Sequence, residues 1–428
     1  MQVFLNPIRK NWKEILQRPA FDYRQLETKV SAILDDVKLN GNIAVKKYSK
    51  EFDAVELTDL SVPENEMAEA LFLVDKELKA AIEQAKNNIS IFHQSQKETI
   101  NRIETTDGVV CWRKPVAIEK VGLYIPGGTA PLFSTLLMLG IPAVLAGCKE
   151  IIVCSPPEKN GKINAVILYV AKLLGLKKIY KIGGVQAIAA MAYGTETVPK
   201  VYKIFGPGNQ YVTCAKQLIN AGGIAIDMPA GPSELAVYAD ETCDPSFVAA
   251  DLLSQAEHGA DSQVVLIAAS ILIIENVKNE IEKQLFMLPR KEIAARALQN
   301  SIAIVMENTD EAFDLLNEYA PEHLIIASEN AEQFAEKVIN AGSVFLGNYS
   351  PESAGDYASG TNHTLPTNGH AKAYSGVSLD SFVKKITFQQ ISKAGIQNIG
   401  NAVEMLAAAE GLEAHKNAVT IRLKELNT

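Results

Sequence analysis

A glutamine and a histidine, Gln255 and His258, lie three residues apart in the segment DLLSQAEHGADS. On a predicted helix this spacing puts both side chains on one face, as ligands of a metal ion or a substrate require. The alternative is a polar helix end capped by Gly259. The spacing alone slightly favours that alternative.

The dipeptide Glu322-His323 in YAPEHLII joins a carboxylate to an imidazole. It falls at a predicted helix-to-strand junction, at the edge of an α/β sheet where catalytic groups gather. Both side chains can move protons near neutral pH. A Glu-His pair is common by chance, so the dipeptide alone indicates a proton-transfer site only weakly.

The segment ESAGDYASGTNHTLPT combines Asp356, Asn362 and His363 with Gly355 and Gly360. Carboxylate and imidazole ligands on a backbone that can bend are typical of a metal site. A solvated loop is the alternative, although the run TLPT is stiffer and more apolar than a linker. We predict a functional loop here, because long irregular segments in compact enzymes are usually functional.

Near the C-terminus, AAAEGLEAHKNAV places Glu410 and His415 on either side of Gly411. Without further information a solvated helix end is the more probable interpretation of this pattern.

Three glycine turns follow predicted strands. FGPGNQYV has Gly206 and Gly208 before a helix, as a Rossmann phosphate turn does, but Tyr211 stands where its third glycine belongs. LYIPGGTAPL, which begins beside Tyr124, and KIGGVQAIAAMAYG, which contains Gln186, are two further turns. Together they favour a ligand cleft without proving that it holds a dinucleotide.

The elements that position these residues follow two patterns. The first hundred or so residues have the apolar spacing of amphipathic helices, as in YRQLETKVSAILDDV and KELKAAIEQAKNNISIF. From Val121 onward short apolar runs alternate with helical stretches, first in VGLYIP, EIIVCSP, KIYKIGG and IAIDMPA, then in LAVYAD, QVVLIAA, SIAIVME, HLIIAS and SVFLG. This alternation predicts two α/β units in series, each a parallel sheet covered by helices on both faces.

Composition narrows the function. The chain has 428 residues, 47% of them apolar and 7% aromatic, as in an ordinary soluble α/β protein. A net charge of -9 makes binding to nucleic acid unexpected, since phosphate contacts need clustered Lys and Arg. Charged residues near the N-terminus argue against a signal peptide, and we therefore expect a cytoplasmic protein.

The uncharged stretch from Val121 to Cys148 is long enough to span a bilayer, but its three prolines and five glycines favour several short elements. We therefore expect no membrane segment. The five cysteines are widely spaced without a CxxC pair, and we predict that all are small buried hydrophobes.

From about Val121 to the C-terminal tail the chain resembles the histidinol dehydrogenase family. The motifs that carry the resemblance are GLYIPGGTAPLFST, GGVQAIAAMAYGTETVPKV, FGPGN, IDMPAGPSE, LLSQAEHG, APEHL, SAGDYASGTNHTLPT and AEGLEAHKNAV. The resemblance implies oxidation of L-histidinol through L-histidinaldehyde to L-histidine, with two molecules of NAD and one zinc ion per subunit.

The resemblance also implies a role for each site residue. One zinc ion would be bound by Gln255, His258, Asp356 and His415, with His415 coming from the partner subunit of a homodimer. The zinc ligands also contact the substrate, whose further contacts would be Ser233, His323, His363 and Glu410. NAD would contact Tyr124, Gln186 and Asn209. His323 would be the general base, and Glu322 would activate the water that adds to the aldehyde.

The domain organisation implied is two Rossmann-like parallel-sheet domains with a helical segment at each end. Residues 1–25 form the N-terminal helical segment, and residues 26–120 with 233–375 form a discontinuous α/β domain that carries zinc and the catalytic residues. Residues 121–232 form the NAD-binding domain. Residues 376–428 form a small helical tail that crosses to the partner subunit.

Three alternatives stay open. A relative with the same fold, zinc and NAD could oxidise another small alcohol such as a sulfonated diol, although Glu410 and His415 favour an imidazole substrate. A zinc hydrolase would use Glu322 but leave the glycine turns without a purpose. A scaffold with a structural metal is the weakest alternative, because structural zinc is normally held by Cys and His.

Overall fold

The computed structural model describes residues 1–18, 23–127, 131–229 and 231–426. Its strands lie in two parallel sheets and one small antiparallel sheet. In chain order the strands are β1 (Gln2–Leu5), β2 (Arg102–Thr106), β3 (Val109–Ala117), β4 (Lys120–Tyr124), β5 (Glu150–Ser155), β6 (Lys178–Lys181), β7 (Lys203–Phe205), β8 (Ala225–Ile226), β9 (Glu234–Ala239), β10 (Gln263–Ala268), β11 (Ile302–Val305), β12 (His323–Ala327), β13 (Ser343–Leu346) and β14 (Val383–Ile391).

Helices connect the strands and cover the two parallel sheets. The α-helices are α1 (Trp12–Ile15), α2 (Tyr23–Phe52), α3 (Glu64–Leu73), α4 (Lys76–Gln94), α5 (Phe133–Ala146), α6 (Ala165–Leu173), α7 (Gly184–Tyr193), α8 (Gln210–Ala221), α9 (Pro245–Ala256), α10 (Ile271–Leu285), α11 (Lys291–Gln299), α12 (Thr309–Tyr319), α13 (Ala331–Ala335), α14 (Glu352–Tyr357), α15 (Lys393–Ala409) and α16 (Glu413–Leu426). Short 3-10 helices lie at Arg9–Asn11, His370–Lys372 and Leu379–Phe382.

The larger sheet has the strand order β1-β11-β10-β9-β12-β13, and all its neighbours are parallel. Every residue of β9, β10, β11 and β12 is buried. Helices α9 to α11 cover one face, and α12 with the N-terminal Trp12 covers the other. The apolar sequence of these strands follows from this double covering, because a parallel sheet has no face left in water.

The second sheet has the order β6-β5-β4-β7-β8 and is also parallel throughout. Helices α2, α7 and α8 pack on one face, and α3, α4, α5 and α6 pack on the other. This strand order, with the first strand in the middle, is that of a Rossmann fold without its sixth strand. The predicted class of two parallel-sheet α/β units is confirmed.

The N-terminal third differs from the expectation in two ways. Residues 2–5 form a strand at the edge of the larger sheet, so the first 25 residues are not all helical. The helices between residues 26 and 94 pack on the five-stranded sheet, whereas we expected residues 26–120 to join residues 233–375. Amphipathic spacing reveals that a helix has an apolar face but not which sheet covers it. The exact domain boundaries stay a prediction.

The tail contains a strand as well as helices. β14 pairs with β3, which pairs with β2, in an antiparallel sheet whose strands are largely exposed. Helices α15 and α16 make their main contacts with each other, and α15 also touches β2 and β14. Large apolar side chains of this helical pair stay exposed, among them Met405, Leu406 and Ile421.

Two smaller expectations change with the structure. The segment after Gly347 contains the short helix α14, so Asp356 lies on a helix and not on an irregular loop. Only Cys154 and Cys214 are buried, while the other three cysteines are partly exposed, as Cys111 is on the open antiparallel sheet. In the described part of the chain no helix is both long and apolar enough to cross a membrane.

Candidate active site

The predicted catalytic pair lies at the amino-terminal edge of the six-stranded sheet. His323 is the first residue of β12, which lies beside β9, and Glu322 precedes it. The Oε2 atom of Glu322 accepts a hydrogen bond from the backbone N–H of Glu234 at 2.9 Å. Both side chains of the pair are buried. The sheet edge was predicted correctly, but ligands of open α/β sheets usually bind at the carboxyl edge.

His323 lies between two carboxylates. Its Nδ1 atom is 3.7 Å from Oε2 of Glu322, and its Nε2 atom is 3.6 Å from Oδ1 of Asp356. Nδ1 is also 3.2 Å from the backbone carbonyl oxygen of Glu234. Because that carbonyl can only accept, Nδ1 carries the proton of a neutral ring and Nε2 is left as the basic nitrogen.

Polar atoms without partners gather around His323. Among the described residues, Nε2 of His323, Oδ1 of Asp356, Oε1 of Glu352 and both amide atoms of Gln255 are buried and lack a hydrogen-bond partner. Burying such atoms unpaired costs about 1–3 kcal/mol each. Their concentration in one place indicates a site built to bind a ligand.

The donor set fits a divalent cation such as zinc. Ligand atoms of His258, Glu352 and Asp356 lie within 4.8 Å of one another. Gln255 lies in the last turn of α9, next to Ser254, whose hydroxyl donates to Glu352 at 2.8 Å. Nitrogen of imidazole and oxygen of carboxylate are ordinary zinc ligands, and an amide oxygen is a weaker neutral one.

Gln255 and His258 do not share a regular helix as we predicted. α9 ends at Ala256, and His258 lies in the turn that follows and is exposed. Gln255, in contrast, is buried.

Burial and charge shift the pKa values of Glu322, His323, Glu352 and Asp356, the four residues that we call the cluster. Burial raises the pKa of Glu322 to about 8, although the neighbouring His323 opposes the shift. Burial alone would lower the pKa of His323, but Glu322, Asp356 and Glu352 raise it to about 10. Burial also raises the pKa of Glu352, whereas the histidines around Asp356 outweigh burial and lower the pKa of that carboxyl. Glu322, His323 and Glu352 therefore bind protons more tightly than usual, whereas Asp356 stays ionised more readily.

Some of the predicted substrate residues lie at the cluster, whereas others are exposed on the tail. His363 joins the cluster, since its Nδ1 atom is 3.0 Å from the backbone oxygen of Asp356. Ser233 directly precedes β9 at the same sheet edge, and its carbonyl accepts from Gln263. Glu410 and His415 are exposed on the tail, and the metal-type group found among the described residues of this chain does not include His415.

Sequence reasoning missed Arg18, Glu234 and Glu352. Arg18 forms a bidentate ion pair with the buried Glu234, with N–O distances of 2.5 and 2.9 Å. The backbone oxygen of the same Glu234 contacts Nδ1 of His323. Glu352 could have been found, because it lies four residues before Asp356 and a helix would place both on one face. No local signal links Arg18 to Glu234, since 216 positions separate them.

Two of the three predicted cofactor residues lie at a cavity of about 1100 Å³ at the carboxyl edge of the five-stranded sheet. Tyr124 and Asn209 line the cavity, and the Tyr124 hydroxyl accepts from the backbone N–H of Gly184 at 3.1 Å. Asn209 caps α8 by accepting from two backbone N–H groups. Gln186 is fully buried beside Gly184, and neither of its amide atoms has a partner among the described residues.

The FGPGN turn is fixed by backbone fit and by a buried ion pair. Gly206 has φ of 130°, and a Cβ atom there would lie 2.1 Å from the carbonyl oxygen of Tyr124, so only glycine is accommodated. Its N–H donates to Asp227 and its carbonyl accepts from Lys216. Gly128, in another predicted turn, lies outside the described residues.

Polar contacts join the two edges, since Asn362 donates to the carbonyl oxygen of Met138 in α5 at 2.6 Å and the adjacent His363 contacts the same helix. Nε2 of His363 is 3.2 Å from the hydroxyl of Thr135, in the first turn of α5. The donor cluster of one sheet and the connection that follows β4 in the other therefore adjoin. Fold and site define the class of this protein as a two-sheet α/β enzyme with buried acid-base groups beside a cofactor-sized cavity.

Comparison with known proteins gives the family. The chain belongs to the histidinol dehydrogenase family, an oxidoreductase family whose model, described as Histidinol dehydrogenase, matches residues 16–423. A histidinol dehydrogenase of Bacteroides thetaiotaomicron is 59% identical over 100% of both chains, and one of Vibrio parahaemolyticus is 50% identical over 96% of this chain and 95% of its own. The crystal structure of histidinol dehydrogenase from Elizabethkingia anophelis matches with a TM-score of 0.98 at 57% identity, covering 100% of this chain and 99% of that one.

The Arg18–Glu234 pair generates a stability prediction. Replacing Arg18 with Met leaves the buried carboxylate of Glu234 unpaired, so we expect the free energy of unfolding to fall by about 3–5 kcal/mol. Denaturant titration measures the change. The control is Arg9→Met, which breaks the exposed pair with Asp314 and should change stability by less than about 1 kcal/mol.

The double variant Arg18→Met with Glu234→Gln removes both charges and should recover part of the loss. Equal losses for Arg18→Met and Arg9→Met would contradict the importance given to the buried pair.

Proposed function

We propose that this chain oxidises L-histidinol through L-histidinaldehyde to L-histidine in two NAD-dependent steps, the last reactions of histidine biosynthesis. One observation carries the proposal: buried polar atoms without hydrogen-bond partners are grouped around His323. The contact between Thr135 and His363 places this group next to the start of α5, the helix that follows β4. Membership of the histidinol dehydrogenase family supports the same reaction. The cytoplasm stays the location that we predict.

We propose that zinc is held by Gln255, His258 and Asp356 of one chain together with His415 of the partner subunit. When bound, zinc supplies a fixed positive charge that orients the imidazole and amine nitrogens of the substrate. The unpartnered amide of Gln255 and Oδ1 of Asp356 support this set. Glu352 adds a negative charge beside it, which offsets the cost of holding a cation.

His323 is suited to take the proton of the substrate hydroxyl in the first step. Its Nε2 atom is the basic nitrogen, and Nδ1 is oriented by the carbonyl of Glu234. NAD, when bound, supplies the acceptor for the hydride that leaves the carbinol carbon. The loss of the hydroxyl proton to His323 and of the hydride to the cofactor converts the alcohol to the aldehyde.

Glu322 is suited to the water step. Its carboxylate is held by the N–H of Glu234 and lies beside His323. As a base it can take a proton from the water that adds to the aldehyde, while the protonated His323 gives its proton to the carbonyl oxygen, and the product is the hydrate. The hydrate has a hydroxyl in place of the alcohol, so His323 can accept its proton in the second oxidation and the product is the carboxylate.

The remaining predicted contacts have consistent positions. His363, at the cluster, and Ser233, at the start of β9, are proposed to contact the substrate. We propose that Tyr124, Gln186 and Asn209 contact NAD. The cavity beside Tyr124 and Asn209 and the unpartnered amide of Gln186 support this assignment.

The tail supports a homodimer with shared sites. Glu410 and His415 are exposed, and the helices that carry them pack mainly on each other. Exposed Met405, Leu406 and Ile421 give this hairpin an apolar surface that a second subunit can cover. We propose that the tail reaches the partner's cluster, where Glu410 would contact the substrate.

The first experiment measures NADH formation with L-histidinol and excess NAD, before and after chelation. We expect about two NADH per histidine, with activity lost on chelation and restored by zinc, because both oxidations use one site. Histidine is quantified at the end of the reaction. A folded, zinc-loaded protein without turnover would exclude histidinol and direct the search to other small alcohols.

The rate should rise with pH. His323 acts as a base only when it is neutral and Glu322 only when it is ionised, and both pKa values are raised. Raising the pKa of a base removes its active form at lower pH, so the chemical step should accelerate between about pH 6 and pH 9. A pre-steady-state profile that is flat over this range would contradict the assignment.

Subunit exchange tests the shared site. We expect His258→Ala and His415→Ala each to be nearly inactive as homodimers. A purified heterodimer of the two, made with different affinity tags, should recover about half of the wild-type activity, because one of its two sites combines intact parts. If each chain used its own tail, the heterodimer would stay inactive.

A further inference from the structure

One carboxylate in the large cavity has no role in the reaction described above. Asp53 directly follows the long helix α2, and its backbone N–H still bonds to Ser49 in the last turn. The next residue, Ala54, has φ of 56°, so the chain turns sharply here. Asp53 lines the same cavity as Tyr124 and Asn209.

The carboxylate of Asp53 is positioned but not paired. Its Oδ2 atom is buried and has no hydrogen-bond partner among the described residues. A Cβ atom on Gly183 would lie 3.3 Å from Oδ1 of Asp53 and 2.6 Å from Pro156. The carboxylate therefore lies at the carboxyl ends of β5 and β6, where Gly183 leaves room beside it. Burial raises the pKa of Asp53 to about 6, so it is ionised at and above neutral pH.

The location matches a known requirement of dinucleotide sites. In a Rossmann unit an acidic side chain near the end of the strand next to the glycine turn accepts hydrogen bonds from the adenosine ribose. Here β4 is the central strand and β5 is its neighbour. Glu158 follows β5 in sequence, but it accepts a bond from Asn164 and is exposed. The partly buried, unpartnered carboxylate at this edge is that of Asp53.

We propose that Asp53 accepts hydrogen bonds from the hydroxyls of the adenosine ribose and thereby selects NAD over NADP. The inference rests on the proposed use of a dinucleotide. Asp53 comes from a helix outside the sheet, so the N-terminal helices contribute to the cofactor site as well as to the core.

Charge gives the selection its physical basis. A ribose hydroxyl can donate to Oδ2, which has no other partner, whereas a 2′-phosphate brings negative charge next to a carboxylate. Among the described residues, the other charged side chains that line the cavity are Lys29, Glu51, Glu158 and Lys159; their charges sum to zero, so they do not offset the charge of Asp53.

A purely structural role predicts the opposite response to substitution. A buried carboxylate oxygen without a partner costs stability, so Asp53→Asn should leave the fold as stable or more stable. If Asp53 were kept for the fold, the same change would lower the midpoint of thermal unfolding.

The test is calorimetric titration of the zinc-loaded protein with NAD and with NADP. For Asp53→Asn we expect binding of NAD to weaken about 10- to 100-fold, the loss of a hydrogen bond to a charged group, while binding of NADP changes little or improves. The matched control is Glu158→Gln, which removes the other carboxylate near β5 and should leave both affinities within about twofold of wild type.

Each result decides a different claim. An unchanged affinity of Asp53→Asn for NAD, with wild-type protein that binds NAD and oxidises histidinol, overturns the role of Asp53 and leaves the proposed function standing. A loss of NAD binding in Glu158→Gln instead assigns the ribose to Glu158 and also overturns it. Wild-type protein that binds neither dinucleotide overturns the proposed function together with this inference.

Discussion

The structure of the site depends on negative charge that is buried around one imidazole. Glu322, Glu352 and Asp356 all act on His323, and the guanidinium of Arg18 pairs with a fourth carboxylate, that of Glu234. Carboxylates taken out of water need a cation or a proton. This requirement explains the raised pKa values in the cluster and the fit of its donors to a metal ion.

The site forms where the amino edge of one parallel sheet lies next to the carboxyl edge of the other. The six-stranded sheet contributes the amino edge of β9 and β12, and the five-stranded sheet contributes the carboxyl edge of β4 and the helix that follows it. Fixed backbone groups hold both sides, as the Glu234 N–H holds Glu322 and the Gly184 N–H contacts Tyr124. In our proposal a substrate bound at the first edge faces a cofactor bound at the second.

Residues that lie outside the two parallel sheets also contact these two edges. Arg18 contacts Glu234 of the six-stranded sheet, and Asp53 lies at the cavity of the five-stranded sheet. The tail helices leave an apolar surface exposed, which a monomer in water does not favour. In our proposal the tail uses this surface to join two subunits.

The sequence by itself determined the alternation of strands and helices, because apolar period and glycine turns act locally. It also indicated the pair Glu322-His323. The resemblance to a known family implied the roles of Gln255, Asp356 and the tail residues. Only the tertiary structure decided that His258 lies beside Glu352 and Asp356, that Arg18 reaches Glu234, and that α2 packs on the five-stranded sheet. These facts depend on contacts between distant parts of the chain, and spacing along the chain carries no information about which apolar faces or buried charges will meet.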